Sequence, residues 1–139
     1  MYLFICTGNY YRSRFAEYYF NFRAEQLQLP ARAFSRGLEA AAARNTGPVS
    51  VHTINYLASL QIPQPAWTYP VQLLEADFDQ ADKVIALDDT EHRPKILRDF
   101  PHRLNQVEFW QFPDVQFAEP ADILPAIRQQ IDQLLAHAL

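Results

Sequence analysis

A cysteine, an arginine and a serine stand at a spacing that could bind and attack a phosphate group. The segment reads Cys6-Thr7-Gly8-Asn9-Tyr10-Tyr11-Arg12-Ser13. Five residues between Cys6 and Arg12 can curl into a nearly closed loop whose backbone N–H groups point inward at one tetrahedral anion. Gly8 and Asn9 tolerate the left-handed backbone that such a curl needs. The predicted phosphate-binding residues are therefore Thr7, Gly8, Asn9, Tyr10, Tyr11, Arg12 and Ser13.

The chemistry of this loop would centre on Cys6. Arg12 offers a planar, charged fork that can hold two oxygens of the anion, and its charge favours the nucleophilic thiolate of Cys6. A thiolate facing bound phosphate would attack phosphorus and form a phosphocysteine, which water then hydrolyses. Ser13 could donate a hydrogen bond to the sulfur and so improve it as a leaving group. The alternative is a buried strand-end cysteine followed by an unrelated arginine.

Such a loop needs a strand before it and a helix after it, and the sequence predicts both. The nearly continuous apolar run 2–6 is typical of a buried parallel strand. Ser13 can cap a helix that Pro30 ends. Further strands are predicted at 33–35, 83–87 and 107–112, and further helices at 50–60, 88–100 and 120–139.

Strands that alternate with helices predict a parallel sheet with helices on its faces, and hence an α/β fold. Ligands of such sheets bind beyond the carboxyl ends of the strands. Cys6, Ser35, Asp88 and Asp114 all fall at or just after predicted strand ends. We therefore expect one rim of the sheet to gather them. Neither a repeat nor a linker divides the chain, so residues 1–139 are predicted to form one domain.

Composition limits the classes of partner. The 139 residues are 49% hydrophobic and carry a formal net charge of −4, which weighs against nucleic acid or an anionic membrane as a partner. No apolar run reaches the roughly 18 residues of a membrane span, and the run 2–6 is too short for a secretory signal. We expect a cytoplasmic protein that is a monomer or a weak dimer. The single cysteine excludes an internal disulfide, and the four histidines lack metal-ligand spacing.

The loop resembles that of the low-molecular-weight protein tyrosine phosphatases, which reads C-x-G-N-x-C-R-S-P after a first strand. The matching residues are Cys6, Gly8, Asn9, Arg12 and Ser13. The resemblance implies a three-layer domain with a four-stranded parallel sheet, and neither metal nor cofactor. It also implies supporting roles for Ser35, which would bond the loop asparagine, and for Asp88, which would follow the third strand.

Asp114 lies where this family places its general acid, although Val115 follows it in place of the family's proline. A carboxyl group above the phosphate could protonate the leaving oxygen and later deprotonate water. On its own, an Asp after Pro113 would be interpreted as a turn residue. Asp88 and Asp89 are competing acids whose positions equally suit helix capping.

The substrate wall is predicted from three aromatic residues. Tyr10 occupies the family's variable loop position and could stack on a phosphotyrosine ring or narrow the entrance. Trp110 is close to Asp114 in sequence, and Phe117 falls where the family often has an aromatic wall. Tyr11 replaces the family's second loop cysteine, so the disulfide that often protects the nucleophile cannot form.

These features predict a protein tyrosine phosphatase with Cys6 as nucleophile, Arg12 as phosphate ligand and Asp114 as general acid and base. Its substrate would be a phosphotyrosine protein or a small aryl phosphate, and inorganic phosphate and vanadate would inhibit it. Three alternatives remain open. One is a binding module that has lost turnover, and the second is a phosphatase of phosphoarginine. The third is an arsenate reductase, which would need an external thiol because the chain has one cysteine.

Overall fold

A four-stranded parallel sheet forms the centre of the computed structural model, which describes residues 1–138. Its strands are β1 (Tyr2–Cys6), β2 (Ala33–Gly37), β3 (Lys83–Ala86) and β4 (Val107–Phe109). They lie in the order β2-β1-β3-β4, and every pairing is parallel. The predicted α/β architecture with four parallel strands is therefore confirmed.

Five α-helices and one 3₁₀ helix surround the sheet in the described residues. They are α1 (Arg12–Gln26), α2 (Val51–Ser59), α3 (Glu75–Gln80), α4 (Asp89–Asp99), the 3₁₀ helix Pro101–Gln106 and α5 (Pro120–Ala136). Ser50 caps α2 by accepting a bond from the backbone N–H of His52, and Asp88 caps α4 through Glu91. The sequence did not predict α3 or the 3₁₀ helix, because six residues are too few to show a helical period.

Both faces of the sheet are covered, which explains the continuous apolar run of β1. Phe4 lies on one face in a cluster with Phe15 of α1 and Ile127 of α5. Leu3 and Ile5 lie on the other face, where α3 and α4 pack. Successive side chains of a strand point to opposite faces, so a strand between two helical layers needs an apolar residue at every position.

The fourth strand is shorter than the predicted 107–112, because the chain turns towards the loop that follows β3. The backbone N–H of Trp110 still donates to Ala86 and that of Phe112 donates to Leu87, while Trp110 accepts a bond from Asp89. These bonds hold the segment after β4 beside the start of α4. Within residues 1–138, no helix is both long and apolar enough to span a bilayer.

Candidate active site

The loop between β1 and α1 is fixed by bonds to the segments that follow β2. Backbone N–H groups of Leu38 and Glu39 donate to the carbonyls of Cys6 and Thr7 at 2.9 and 2.8 Å. Asn9 has φ of +50°, the left-handed conformation that the sequence predicted at this position. The curl of the loop is thus held from outside as well as by its own residues.

Gly37 lets the chain after β2 approach this loop closely. It pairs in register with Cys6. A Cβ atom on Gly37 would lie 2.9 Å from the Thr7 oxygen and 2.9 Å from the Asn9 nitrogen, nearer than real Cβ contacts come. Only a residue without a side chain fits between the two backbones.

Cys6 ends β1 with its side chain against Ser13. The residue is 2% exposed, and its Sγ lies 2.9 Å from the Ser13 hydroxyl oxygen. That oxygen already accepts a bond from the Asn9 amide at 2.9 Å, so its own proton is free to point at sulfur. Ser13 is not the predicted helix cap, because α1 begins at Arg12, two residues earlier than a cap at Ser13 implies, and Tyr11 takes the cap position without a side-chain bond. The Ser13 hydroxyl therefore contacts the Cys6 sulfur and does not cap the helix.

Asn9 links the loop to β2. Its amide nitrogen donates to the hydroxyl oxygens of Ser13 and Ser35, both at 2.9 Å, and its Oδ1 accepts from the backbone of Val71. Ser35 in turn donates to Glu17 at 2.6 Å, and burial raises the pKa of that carboxyl. The structure thus brings Ser35 to the loop asparagine, as the resemblance implied.

Arg12 extends beneath the loop and is 2% exposed. Its Nη1 donates to Glu91 Oε1 at 3.0 Å and to the carbonyl of Phe112 at 2.9 Å, and its Nη2 donates to Glu91 Oε2 at 2.7 Å. These bonds use three of the five N–H donors of the guanidinium. The donors left are the second proton of Nη2 and the proton of Nε, which is buried without a partner among the described residues. Because both lie on one edge of the planar group, they can hold two oxygens of one anion.

Glu91 contacts two of the predicted site residues, Thr7 and Arg12, and was not itself predicted from the sequence. Besides the two bonds from Arg12, its carboxylate accepts a bond from the hydroxyl of Thr7. Burial opposes ionisation of this carboxyl, but the charge of Arg12 and the surrounding donors hold its pKa well below the usual range. The spacing Asp88-x-x-Glu91 is a helix-start signal that places Glu91 in the first turn of α4. It gives no sign of which way the side chain points.

His92 lies behind this carboxylate and is fully buried. Its Nδ1 accepts a bond from the Asp88 backbone at 3.0 Å. Its Nε2 lies 3.1 Å from Glu91 Oε2 but lacks the geometry of a regular hydrogen bond. Burial lowers the pKa of His92, so the ring is neutral at pH 7.

Asp114 lies beside Arg12 with a partly exposed carboxylate. Its Oδ2 is 3.7 Å from Arg12 Nη2, and the side chain is 31% exposed. Its Oδ1 accepts a bond from the backbone N–H of Val115 at 2.8 Å, a donor that a proline at this position would lack. The substitution of valine for the family's proline thus adds a bond that orients the carboxylate.

One cavity joins these groups. It has a volume of about 480 Å³ and is lined by Cys6, Thr7, Gly8, Tyr10, Tyr11, Arg12, Ala43, Asn45, Ser50, Val51, His52, Asp114, Val115 and Gln116. The Tyr10 hydroxyl donates to the Thr46 carbonyl at 2.5 Å, which fixes this ring in the cavity wall. Within residues 1–138, no three His, Cys, Asp or Glu side chains are grouped to hold a metal ion.

Two of the predicted wall residues lie elsewhere. Trp110 is buried in the core, where its ring is 5.9 Å from that of Phe4, because its large apolar surface packs beneath α1 and α5. Phe117 is 77% exposed and borders a neighbouring cavity of about 730 Å³ that shares Thr7, Asp114 and Gln116 with the first. Neither aromatic residue lines the cavity that contains Cys6.

Known proteins show the same sequence pattern and fold. The family described as low molecular weight phosphotyrosine protein phosphatase matches residues 2–135. A low molecular weight protein tyrosine phosphatase from T. tengcongensis superposes with a TM-score of 0.82 at 22% identity, covering 98% of this chain and 97% of that one. Wzb of Vibrio vulnificus, solved with benzylphosphonate, gives 0.79 at 18% identity, covering 99% and 97%. YwlE arginine phosphatase from Geobacillus stearothermophilus gives 0.70 at 26% identity, covering 97% and 87%. No curated protein sequence matches the chain.

Proposed function

Because the chain belongs to the low molecular weight phosphotyrosine protein phosphatase family, we propose that it hydrolyses phosphotyrosine through a phosphocysteine on Cys6. The observation that carries this proposal is the free edge of Arg12. The Nε proton of this buried cation has no partner among the described residues. The second proton of Nη2 makes no hydrogen bond there, although Asp114 Oδ2 lies 3.7 Å from Nη2. The same cavity contains Cys6 and Asp114. An anion with two oxygens on that edge lies within reach of both a nucleophile and an acid.

The first half-reaction transfers the phosphoryl group to sulfur. Backbone N–H groups of the loop and the edge of Arg12 formed by Nε and Nη2 hold the phosphate oxygens. The thiolate of Cys6 attacks phosphorus, the S–P bond forms and the bond to the leaving oxygen breaks. Asp114 gives its proton to that oxygen, so a neutral phenol departs.

The second half-reaction returns the enzyme to its starting state. The Asp114 carboxylate takes a proton from water, and the resulting hydroxide attacks phosphorus as the S–P bond breaks. Inorganic phosphate leaves, and the Ser13 hydroxyl at 2.9 Å stabilises the returning thiolate. No oxidant or reductant enters the cycle.

An aromatic substrate suits the walls of the cavity. The ring of Tyr10 forms one wall, and the half-exposed Val115 lies beside Asp114 at the entrance. A phosphotyrosine ring can stack on Tyr10 while its phosphate reaches the loop. The likeness to an arginine phosphatase at 26% identity makes phosphoarginine the second candidate substrate, so the assay includes it.

The experiment measures hydrolysis of p-nitrophenyl phosphate, phenyl phosphate, a phosphotyrosine peptide and a phosphoarginine peptide. Cys6→Ser should abolish turnover of every substrate. Asp114→Asn should lower kcat/KM, which reports the first half-reaction, about a hundredfold on phenyl phosphate and less on p-nitrophenyl phosphate, because nitrophenolate leaves without a proton. Asp122→Asn removes one charge from an exposed residue of α5 and is the matched control.

Two results would contradict the proposal. Equal losses of kcat/KM on both aryl phosphates in Asp114→Asn would remove Asp114 from the role of acid. A wild type that hydrolyses nothing, although vanadate or phosphate raises its Tm, would make the loop a binding site without turnover. Faster hydrolysis of the phosphoarginine peptide than of the phosphotyrosine peptide would change the substrate but keep the mechanism.

A further inference from the structure

We propose that Glu91 is the positioning residue that fixes Arg12 and Thr7 for phosphate binding. This inference rests on the proposed function and goes beyond it, because Glu91 lies outside the loop and reaches it from α4. Its carboxylate holds both terminal nitrogens of Arg12 and the hydroxyl of Thr7.

The bonds to Arg12 decide which edge of the guanidinium is presented to an anion. Glu91 takes the edge formed by Nη1 and Nη2, at 3.0 and 2.7 Å, and Phe112 takes the remaining proton of Nη1. The edge formed by Nε and Nη2 is therefore the one that makes no hydrogen bond, with Asp114 Oδ2 3.7 Å from Nη2. Without Glu91 the guanidinium could rotate about its long side chain, and the two-donor edge would no longer be fixed in one direction.

The bond to Thr7 fixes the loop at the residue after the nucleophile. The Thr7 hydroxyl donates to the same Oε2 atom that accepts from Arg12. One carboxylate oxygen thus joins Thr7, near the start of the loop, to Arg12 at its end. Glu91 is 84 positions from Thr7 and 79 positions from Arg12 in the chain. Tilting of either group relative to the other would change the shape of the anion site.

Glu91 itself is held by Asp88, which lies two residues after the end of β3. Asp88 accepts a bond from the Glu91 backbone at 3.1 Å, so the residue lies in the first turn of a capped helix. The Glu91 side chain is only 21% exposed, and the Arg12 that it pairs with is buried. A buried arginine requires such a partner, because an uncompensated charge of this kind is strongly destabilising.

The charge of Glu91 makes the proposal testable, because two possible roles of this residue change the Kd for phosphate in opposite directions. A carboxylate beside Arg12 repels a bound phosphate, so its removal strengthens phosphate binding if Glu91 acts only as a counter-ion. If Glu91 positions Arg12, its removal weakens binding, because orientation of the donors is lost. The two roles therefore predict opposite changes in the same Kd.

The experiment compares Glu91→Gln, Glu91→Asp and the control Asp89→Asn, using inorganic phosphate as the probe. Asp89 lies in the same helical turn and pairs with Arg93 at the surface, so its variant removes an equal charge without touching the loop. Glu91→Asp keeps the charge, and hence the counter-ion for Arg12, but shortens the reach to its two nitrogens. Phosphate Kd is measured by calorimetry, kcat and KM with p-nitrophenyl phosphate, and folding by urea titration.

Glu91→Gln and Glu91→Asp should each raise the Kd for phosphate about tenfold and lower kcat/KM about a hundredfold. About tenfold of this loss should fall in kcat, because the oriented donors contribute more in the transition state than in the bound ground state. Asp89→Asn should stay within twofold of wild type in the Kd for phosphate, in kcat and in kcat/KM.

The inference is overturned if Glu91→Gln binds phosphate as tightly as wild type or more tightly. It is also overturned if folded Glu91→Asp matches Asp89→Asn in kcat and KM; this variant decides the question if Glu91→Gln does not fold. A wild type that binds phosphate but hydrolyses no substrate would defeat the proposed function, while the phosphate affinities would still decide the role of Glu91.

Discussion

Replacing Gly37 with alanine should displace the loop from Cys6 to Ser13 without unfolding the protein. Gly37 ends β2, outside the segment from Cys6 to Ser13, and its Cα lies against the backbone of that loop. An added Cβ would meet the Thr7 oxygen, the Asn9 nitrogen and the Ala40 Cβ, each at 2.9 Å. Two of the three atoms belong to backbone, which cannot rotate away as the end of a flexible side chain can.

The size of the effect follows from these distances. Ordinary Cβ contacts begin at 3.4 Å, so the loop must move by about 0.5 Å to admit the methyl group. Overpacking of this kind costs about 1–3 kcal/mol of stability. A displacement of 1 Å at a catalytic group costs about a hundredfold in rate, so half that displacement predicts a loss of about tenfold in kcat/KM.

The assay separates displacement of the loop from general destabilisation. Urea titration gives the free energy of unfolding, and hydrolysis of p-nitrophenyl phosphate gives kcat/KM, for Gly37→Ala and for the control Ile127→Val. Ile127 is a fully buried residue of α5, and its truncation costs about 0.5–1.5 kcal/mol without touching the loop. Activity within twofold of wild type in Gly37→Ala would refute this reasoning, as would an equal loss in Ile127→Val.

Two further predictions concern stability. Burial raises the pKa of Tyr11 to about 12, and its hydroxyl has no hydrogen-bond partner among the described residues. Tyr11→Phe should therefore raise the free energy of unfolding by about 1 kcal/mol. A decrease in this free energy would mean that the hydroxyl is bonded in solution. Burial also lowers the pKa of His92 from its ordinary 6.5. Below pH 6.5 the imidazole therefore takes up a proton in the unfolded chain before it does so in the folded chain. Because of this difference, the folded state loses stability as the pH falls below 6.5. His92→Asn keeps an acceptor for the Asp88 N–H, and urea titrations at pH 7 and pH 5.5 should show a smaller loss in this variant than in wild type; equal losses would contradict the assignment.

The sequence was most informative where the relevant contacts are local. The loop from Cys6 to Ser13 lies between one strand and one helix, so residue types and spacing over eight positions carry its geometry. Asn9 takes the left-handed conformation for the same local reason. The apolar run of β1 predicted a strand covered on both faces, because its alternating side chains have no solvent-facing side.

Local patterns were less reliable at the ends of elements and for short ones. The six residues of α3 show no helical period, and β4 ends at Phe109 because the chain turns to pair with the loop after β3. Ser13 is a residue type that often caps helices, but its hydroxyl lies within hydrogen-bond distance of the Cys6 sulfur because α1 begins at Arg12. Residue type alone cannot choose between these partners.

Only the tertiary structure decided which distant residues meet. The order β2-β1-β3-β4 places β3 beside β1, and this neighbourhood brings Glu91 to Arg12 although 79 positions separate them. The close approach of Gly37 and the burial of Trp110 depend on the same packing of segments. Amino-acid patterns encode the period and the preferred backbone of one segment, whereas contacts between segments depend on how whole layers pack. Residue types and spacing therefore predicted the conformation of the loop, and the packing of the layers determined which residues hold it in place.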